Sequence, residues 1–192
     1  MHTLIFATNN RNKVAEIQSL VGPNFEIIPL KEAGIEIDIP EPHDQLEANA
    51  LEKAMTIFNL TNQACFSEDT GLEIAALGGA PGVKSARYAG ENSNPQANID
   101  LVLNKMKGVE NRTAQFRTVI CLVWENQTYY FEGICKGKIL NNMQGENGFG
   151  YDPIFVPDGA SKSFANMTMA EKNQFSHRKK AVAQLFEFLG TL

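Results

Sequence analysis

Two adjacent carboxylates, Glu68 and Asp69, follow the apolar run Ala64-Cys65-Phe66 with only Ser67 between. Successive side chains of a strand point to opposite faces, so the two carboxylates cannot both face the core, and Gly71 indicates a close approach of backbone. Carboxylates at the end of a buried strand can bind a hard divalent cation or act as a general base, and both roles suit phosphoryl chemistry. A polar turn between two strands is the other interpretation of this stretch.

The loop Thr8-Asn9-Asn10-Arg11-Asn12-Lys13 lies between a predicted strand, Thr3 to Ala7, and a predicted helix that ends before Gly22-Pro23. A strand-loop-helix unit directs the N–H groups of the first helical turn at whatever lies above the loop, which favours an anion. Lys13 adds a point charge suited to phosphate. The loop contains no glycine and no GK[ST], so it is not a P-loop. An Asn-rich helix cap is the alternative interpretation.

A third carboxylate, Glu41, is held between Pro40 and Pro42, which restricts its backbone to extended geometry. A carboxylate placed rigidly in this way could serve a metal or water site, although a solvated loop acid is an alternative. The preceding residues Ile35-Glu36-Ile37-Asp38-Ile39 alternate in polarity, and the alternation predicts an edge strand.

The next segment predicts a helix reaching about Leu60, with Asp44 and Glu47 as a capping box. Asn49 and Lys53 lie one turn apart on this helix, on a face next to its apolar stripe. We expect both side chains to point toward the same region as Glu41.

A glycine-rich aromatic loop runs from Gly145 to Phe155. Its glycines, Gly150 among them, allow close approach of the backbone to a flat ligand on which Phe149 or Tyr151 would stack. We expect Pro153 to hold Asp152 in an extended conformation. A structural aromatic corner is the alternative.

Basic side chains gather near two predicted helix starts close to the end of the chain. Thr168 and Glu171 form a second potential capping box, and a final helix opens around His177 and Arg178. Lys172 lies between them. Positive charges at helix N-termini oppose the helix dipole, and an anionic or acceptor-rich ligand would explain their presence.

Further predicted elements must position these residues. Asn94-Pro95 starts a further helix that ends at Gly108, and residues 114–124 and 128–136 predict a hairpin. The glycine-rich residues 78–88 predict either a mobile lid or a tight corner.

Composition limits the partners. The 192 residues carry a net charge of -5, which argues against broad nucleic-acid binding, and their hydrophobic fraction of 43% suffices for a sizeable core. No apolar run reaches transmembrane length and no signal-peptide pattern opens the chain, so we expect a cytoplasmic protein without a membrane partner. The three cysteines show no metal-ligand spacing and are expected to be buried free thiols.

Five segments, in order, resemble the signatures of the inosine triphosphate pyrophosphatase family, enzymes that hydrolyse deaminated purine nucleoside triphosphates. Residues 8–13 are similar to its T-x-N-x-x-K loop and residues 67–72 to its acidic motif. Pro81-Gly82 with Ser85-Ala86-Arg87-Tyr88 resembles PG-x-x-SARY, residues 149–153 resemble FGYDP, and residues 171–178 resemble EKN-x-x-SHR. The resemblance covers nearly the whole chain.

The resemblance implies an α/β fold with a long twisted mixed sheet, flanking helices and two lobes around a central nucleotide-binding cleft, in a single domain over residues 1–192. It also implies a homodimer and the conversion of XTP, ITP or dITP to the monophosphate plus pyrophosphate. Asp69 would be the catalytic proton acceptor and a ligand of one Mg²⁺ ion, with Glu41 or Glu68 as a second ligand. The substrate-binding residues would be Thr8, Asn9, Asn10, Arg11, Asn12, Lys13, Thr70, Phe149, Gly150, Tyr151, Asp152, Lys172, His177 and Arg178.

The sequence is compatible with three alternative functions. A related pyrophosphatase could act on modified pyrimidines or dTTP, although the Ser-His-Arg signature argues against it. A nucleotide sensor without catalysis is disfavoured by the presence of Lys13, Glu68 and Asp69. A sequence-specific nucleic-acid binder is disfavoured by the negative charge.

Overall fold

The computed structural model describes residues 2–92 and 94–191, and these residues form seven strands and five α-helices. The strands are β1 (His2–Phe6), β2 (Phe25–Pro29), β3 (Cys65–Ile74), β4 (Pro81–Gly82), β5 (Thr113–Trp124), β6 (Gln127–Ile139) and β7 (Phe155–Pro157). The helices are α1 (Arg11–Gln18), α2 (Leu46–Thr61), α3 (Pro95–Lys105), α4 (Met169–Phe175) and α5 (His177–Leu189).

The strands form one mixed sheet in the order β2-β1-β3-β5-β6-β7, and β4 also pairs with β3. β1 is parallel to both β2 and β3, whereas β4 and β7 pair antiparallel with β3 and β6. The predicted α/β class with a mixed sheet is therefore confirmed. No helix in the described part of the chain is long and apolar enough to cross a membrane.

The first of two compact units contains the chain up to Asp69, the segment Thr118–Gly133, and the chain from Arg178 onward. Its core combines β1, β3 and α5, because each of these elements turns an apolar face inward. The buried core residues are Leu4, Phe6, Ile17, Ile27, Phe66, Ile120, Leu122, Phe131, Ala181, Val182, Leu185 and Leu189.

The second unit contains Thr70–Arg117 and Ile134–His177 and has a core of its own. Its core residues are Leu72, Ile74, Ile99, Val102, Met106, Ala114, Phe116, Cys135, Ile139, Tyr151, Ile154, Phe155, Phe164 and Met167. Strands β3, β5 and β6 each contribute residues to both units.

Local sequence signals explain most element boundaries. The side chain of Asn94 accepts a hydrogen bond from the N–H of Ala97 and begins α3, and Thr168 and Glu171 form the predicted capping box of α4. The turn between β5 and β6 places Glu125 and Asn126 at φ 49° and 62°. Two positive φ values match the type I′ turn that suits the twist of a hairpin.

The predicted strand at residues 35–39 is wrong, because these residues, all of them described, form no strand. Ile35 is buried and Glu36 exposed, so the alternation does reflect burial. The carbonyl of Ile37, however, accepts a hydrogen bond from the side chain of Asn9 at 3.0 Å, which is a side-chain contact rather than a strand pairing.

Two further expectations need correction. Helix α2 begins after Gln45 and its N-terminus has no side-chain cap, so the predicted capping box of Asp44 and Glu47 is wrong. The acidic stretch is not the end of a strand either, since β3 continues to Ile74. A Cβ at Gly71 would lie 2.6 Å from the carbonyl oxygen of Gly82, which explains the glycine within the strand.

The glycine-rich residues 78–88 form a tight corner held by hydrogen bonds of Ser85. The hydroxyl of Ser85 accepts from the N–H of Leu72 at 2.8 Å and donates to the carbonyl of Gly82 at 2.6 Å. The Ser85 carbonyl accepts from the hydroxyl of Tyr151 at 2.8 Å. These bonds tie the corner to β3 within the second unit.

Candidate active site

Glu68 is buried in β3 and contacts two cations. Arg178 donates to it through Nε at 2.5 Å and Nη2 at 2.9 Å, and Lys13 Nζ lies 3.0 Å from Oε1. Burial alone would raise the pKa of Glu68, but the charges of Arg178 and Lys13 outweigh it and hold that pKa well below its usual range. Glu68 is therefore an ionised carboxylate that links the first turn of α1 to the start of α5.

Arg178 has a second buried partner, because its Nη1 donates to Glu16 Oε2 on α1. Its side chain is 2% exposed, and Glu68 and Glu16 keep its pKa above the usual value despite burial. Lys13, Arg178, Glu16 and Glu68 together form a formally neutral cluster, here called the Arg178 cluster. The resemblance implies that Arg178 binds substrate, and in the structure its guanidinium contacts carboxylates of the protein.

The side chain of Asp69 makes its contacts with other residues than those that contact Glu68. Its Oδ1 lies 3.4 Å from Lys53 Nζ, and its Oδ2 accepts from Asn49 Nδ2 at 3.3 Å. Burial raises the pKa of Asp69, and the charge of Lys53 only partly offsets this effect. A carboxylate with a raised pKa, held in place by two side chains, has the properties of a general base.

Lys53 also pairs with Glu41, so its ammonium contacts two carboxylates. Burial would lower the pKa of Lys53, but Asp69 and Glu41 outweigh it and the pKa is raised. The expected proximity of Asn49, Lys53 and Glu41 is thus observed.

The same two carboxylates fit a magnesium ion. Within residues 2–92 and 94–191, no three or more His, Cys, Asp and Glu side chains form a ready-made metal cage. Mg²⁺ does not need one, since it typically uses one or two carboxylates together with waters and substrate phosphates. The ammonium of Lys53 shows that oxygens of Asp69 and Glu41 converge on one cation.

The loop at residues 8–13 begins α1 and is largely exposed. Asn10 Oδ1 accepts from the N–H groups of Asn12 and Lys13, at 3.0 and 3.2 Å, so the interpretation of Asn10 as a helix cap is confirmed. Thr8 Oγ1 accepts from the N–H of Asn10 at 3.2 Å. The side chains of Arg11 and Asn12 are solvent-exposed.

In the second unit, Lys172 Nζ donates to Asp152 Oδ2 at 2.7 Å and lies 5.1 Å from the centre of the Phe149 ring. Asp152 Oδ2 also accepts from the N–H of Phe149 at 2.9 Å. The expectation of an extended Asp152 is wrong, because Asp152 begins a 3₁₀ turn that ends at Ile154. Its bond to Phe149 draws the loop into this turn.

The other predicted residues of this unit differ in exposure. His177 is buried and stacks on Phe116 with ring centres 4.7 Å apart, and Tyr151 is also buried. Thr70, Phe149 and Gly150 are half-buried. The structure thus gathers Phe149, Asp152 and Lys172, and it packs His177 and Tyr151 into the core.

The contacts of Glu16 with Arg178 and of Asn49 with Asp69 were not predicted from the sequence. Glu16 lies three residues after Lys13, a spacing that places both side chains on one face of α1. This spacing was the available signal for Glu16. Asn49 had been placed on the correct face of α2, but its bond to Asp69 was not foreseen.

Comparison with known proteins identifies the family. A sequence profile of the Ham1 family matches residues 4–188. The chain belongs to the Ham1 family. Its Ham1 relatives include the dITP/XTP pyrophosphatase of Porphyromonas gingivalis, which is 48% identical over 98% of both chains. The dITP/XTP pyrophosphatase of Flavobacterium psychrophilum is 46% identical over 96% of this chain and 97% of its own.

Solved Ham1 structures agree with this assignment. The Ham1 protein of Staphylococcus aureus has a TM-score of 0.89 and 37% identity, with 98% of both chains covered. The HAM1 protein of Coxiella burnetii has a TM-score of 0.91 and 35% identity, with 100% of both chains covered.

Proposed function

We propose that the protein hydrolyses deaminated purine nucleoside triphosphates (XTP, ITP and dITP) to the monophosphate plus pyrophosphate. This reaction removes such nucleotides from the pool that supplies DNA and RNA synthesis. The observation that carries the proposal is the match, over nearly the full length, to relatives named dITP/XTP pyrophosphatases.

The triphosphate would be bound by residues at the start of α1. Lys13 supplies a charge beside Glu68, and the exposed Arg11 and Asn12 offer further donors. Thr8, Asn9 and Asn10 would shape the loop around the phosphate oxygens. Positive charge at this point offsets the negative charge that develops during phosphoryl transfer.

Asp69 would act as the proton acceptor. It orients the attacking water and holds its proton on a carboxylate oxygen, a role that its raised pKa favours. Asp69 and Glu41 would hold Mg²⁺ in place of the Lys53 ammonium, which is then available for a phosphate oxygen. Mg²⁺, when bound, supplies positive charge to the phosphate oxygens.

The base and sugar would be bound by residues of the aromatic loop and of α4. Phe149 offers a half-buried ring for stacking, and Lys172 offers a donor fixed by Asp152. Thr70 and Gly150, which are also half-buried, would add further contacts. Tyr151 and His177 would support this surface from the core. Hypoxanthine and xanthine carry a carbonyl at position 6 where adenine carries an amino group, so a fixed donor selects for them. Arg178 would act indirectly, through Glu68 and Lys13.

The test of the proposed function is pyrophosphate release from ITP, XTP, dITP, ATP, GTP and dTTP, each with and without Mg²⁺. We expect Mg²⁺-dependent turnover of the first three and much slower turnover of the others. Preference for dTTP would assign the protein to the pyrimidine pyrophosphatases, and no turnover of any nucleotide would refute the proposal.

Asp69→Asn tests the assigned base. We expect this variant to fold, because burial disfavours the charged carboxylate of Asp69, as its raised pKa indicates, and an amide carries no charge. We also expect it to lose turnover by a factor of about 10² or more. Glu73→Gln is the matched control, since Glu73 lies on the same strand and contacts Gln115 at 2.7 Å. Retained turnover in Asp69→Asn at saturating Mg²⁺ would remove Asp69 from the mechanism.

We further propose a cytoplasmic homodimer. The support for this proposal is the resemblance of the five sequence segments to the inosine triphosphate pyrophosphatase family, which implies a homodimer. Light scattering should give twice the 21.2 kDa chain mass, and a monomer mass at all concentrations would refute the dimer. Cell fractionation tests the location.

A further inference from the structure

Asn49 is a polar residue on α2 with only 1% exposure. Its Oδ1 accepts from the N–H of His43 at 3.0 Å, and its Nδ2 donates to the carbonyl of His43 at 3.1 Å. The same Nδ2 donates to Asp69 Oδ2 at 3.3 Å. One amide therefore joins two segments of the chain, the loop that carries Glu41 and the strand that carries Asp69.

The contacts with His43 determine which way the amide faces. Oδ1 can only accept and Nδ2 can only donate, so a rotation of the amide by half a turn would lose both bonds to His43. In the observed orientation one N–H of Nδ2 serves His43 and the other is directed at Asp69. The backbone of His43 thus orients the N–H group of Asn49 that donates to Asp69.

The orientation of Asp69 follows from this arrangement. Its Oδ2 is bound by Asn49, and its Oδ1 faces Lys53, which lies one helical turn further along α2. Two contacts from the same rigid helix fix the rotation of the carboxylate. Glu41 lies two residues before His43 and contacts the same Lys53. Side chains of α2 therefore hold both carboxylates in position.

We propose that Asn49 is a positioning residue that holds Asp69 and the Glu41 loop in the common geometry needed for the divalent cation and the attacking water. The inference rests on the proposed function, because it assigns Asn49 a role in that same site. Residues that orient metal ligands without touching the metal typically contribute a factor of about 10 to 100 in metal affinity or activity.

Asn98 on α3 offers a matched control. It is also buried, at 4% exposure, and its amide also bonds to loop backbone. Its Oδ1 accepts from the N–H of Ala89 at 2.7 Å, and its Nδ2 donates to the carbonyl of Ala86 at 2.9 Å. The amide of Asn98 thus bonds to backbone atoms of Ser85, Ala86 and Ala89, which lie within the second unit. Replacing either asparagine should therefore loosen a loop, whereas only replacing Asn49 should also remove a contact that orients a carboxylate.

The experiment compares Asn49→Ala, Asn98→Ala and the wild-type protein in ITP hydrolysis over a range of Mg²⁺ concentrations, together with the change in Tm on adding Mg²⁺. We expect Asn49→Ala to lose kcat by about 10- to 100-fold and to require more Mg²⁺ for half-maximal rate. Asn98→Ala should stay within about twofold of wild type in kcat and in the Mg²⁺ concentration that gives half-maximal rate. Mg²⁺ should raise the Tm of Asn49→Ala less than that of the other two proteins. If an alanine variant does not fold, the serine variants at both positions replace the pair.

Equal losses of kcat in the two variants would overturn the proposal, and so would equal changes of Tm with Mg²⁺ in all three proteins. A wild-type protein that turns over no nucleotide would refute the proposed function instead. The Tm comparison requires no turnover and would still decide the role of Asn49.

Discussion

Replacing Arg178 by Met should destabilise the first unit strongly. The guanidinium makes three hydrogen bonds to two carboxylates, Glu68 and Glu16, whose side chains are 0% and 5% exposed. Removing one partner of a buried ion pair leaves an uncompensated charge and costs about 3–5 kcal/mol. For a chain of this size that corresponds to a fall in Tm of roughly 6–20 °C.

A second substitution tests the reason for the loss. In the wild-type background Glu16→Gln should lower the free energy of unfolding, because it leaves Arg178 with one carboxylate fewer. In the Arg178→Met background the same change should raise it, because it removes an unpaired buried charge. The sign of the effect therefore reverses between the two backgrounds.

Urea unfolding followed by fluorescence is a suitable assay. Trp124 is the chain's one tryptophan and packs against the core of the first unit, so its emission reports on that unit. If Arg178→Met costs less than about 1 kcal/mol, the cluster is no more important than an exposed ion pair. If Glu16→Gln destabilises both backgrounds equally, the two residues are not coupled.

Two further predictions concern titratable groups. Hydrogen bonds from Lys162 and Thr168 lower the pKa of Glu171 from 4.5 to about 2. Its contribution to stability is thus complete above about pH 4.5 and lost toward pH 2, and the difference in Tm between wild type and Glu171→Gln should shrink over that range. Burial raises the pKa of Cys65 to about 12 and of Cys121 to about 11. The folded protein should therefore not react with the thiol reagent DTNB near pH 8, while the urea-unfolded chain should release three equivalents of the thiolate product. Rapid reaction of the folded protein would contradict the burial of these thiols.

Features that depend on residues close together in the chain were predicted well from the sequence. The caps at Asn94 and Thr168 and the stripe of α2 depend on residues three or four positions apart, which a helical pattern reveals directly. The two carboxylates of β3 were separated correctly for the same reason, since alternation along a strand is local. The family motifs then ordered these signals into a candidate site.

The contacts between residues far apart along the chain were not predicted from the sequence. Arg178 lies 110 residues from Glu68 and 162 from Glu16 along the chain, and no local pattern indicates which carboxylate a distant arginine will meet. The basic residues near the helix starts indicated a ligand, because the helix dipole disfavours positive charge there. In the structure, carboxylates of the protein itself neutralise Arg178 and Lys172.

Backbone preferences were misjudged where a side chain overrides them. Proline disfavours a helical conformation in the residue before it, yet Asp152 accepts two hydrogen bonds that hold it in a 3₁₀ turn. Residues 35–39 alternate like a strand, but a side chain from Asn9 bonds to their backbone. Neither contact is visible in the local sequence.

The loop that begins α1 has a consequence for the entropy of ligand binding. Thr8, Asn9 and Asn10 bond to backbone groups of the protein, so the loop is shaped by its own side chains. Ordering a side chain on association costs about 0.5–1.5 kcal/mol, and residues already ordered avoid this loss. An anion that arrives at this loop should therefore find its conformation already formed, and the freedom still to be lost resides mainly in the ligand and in exposed side chains such as Arg11.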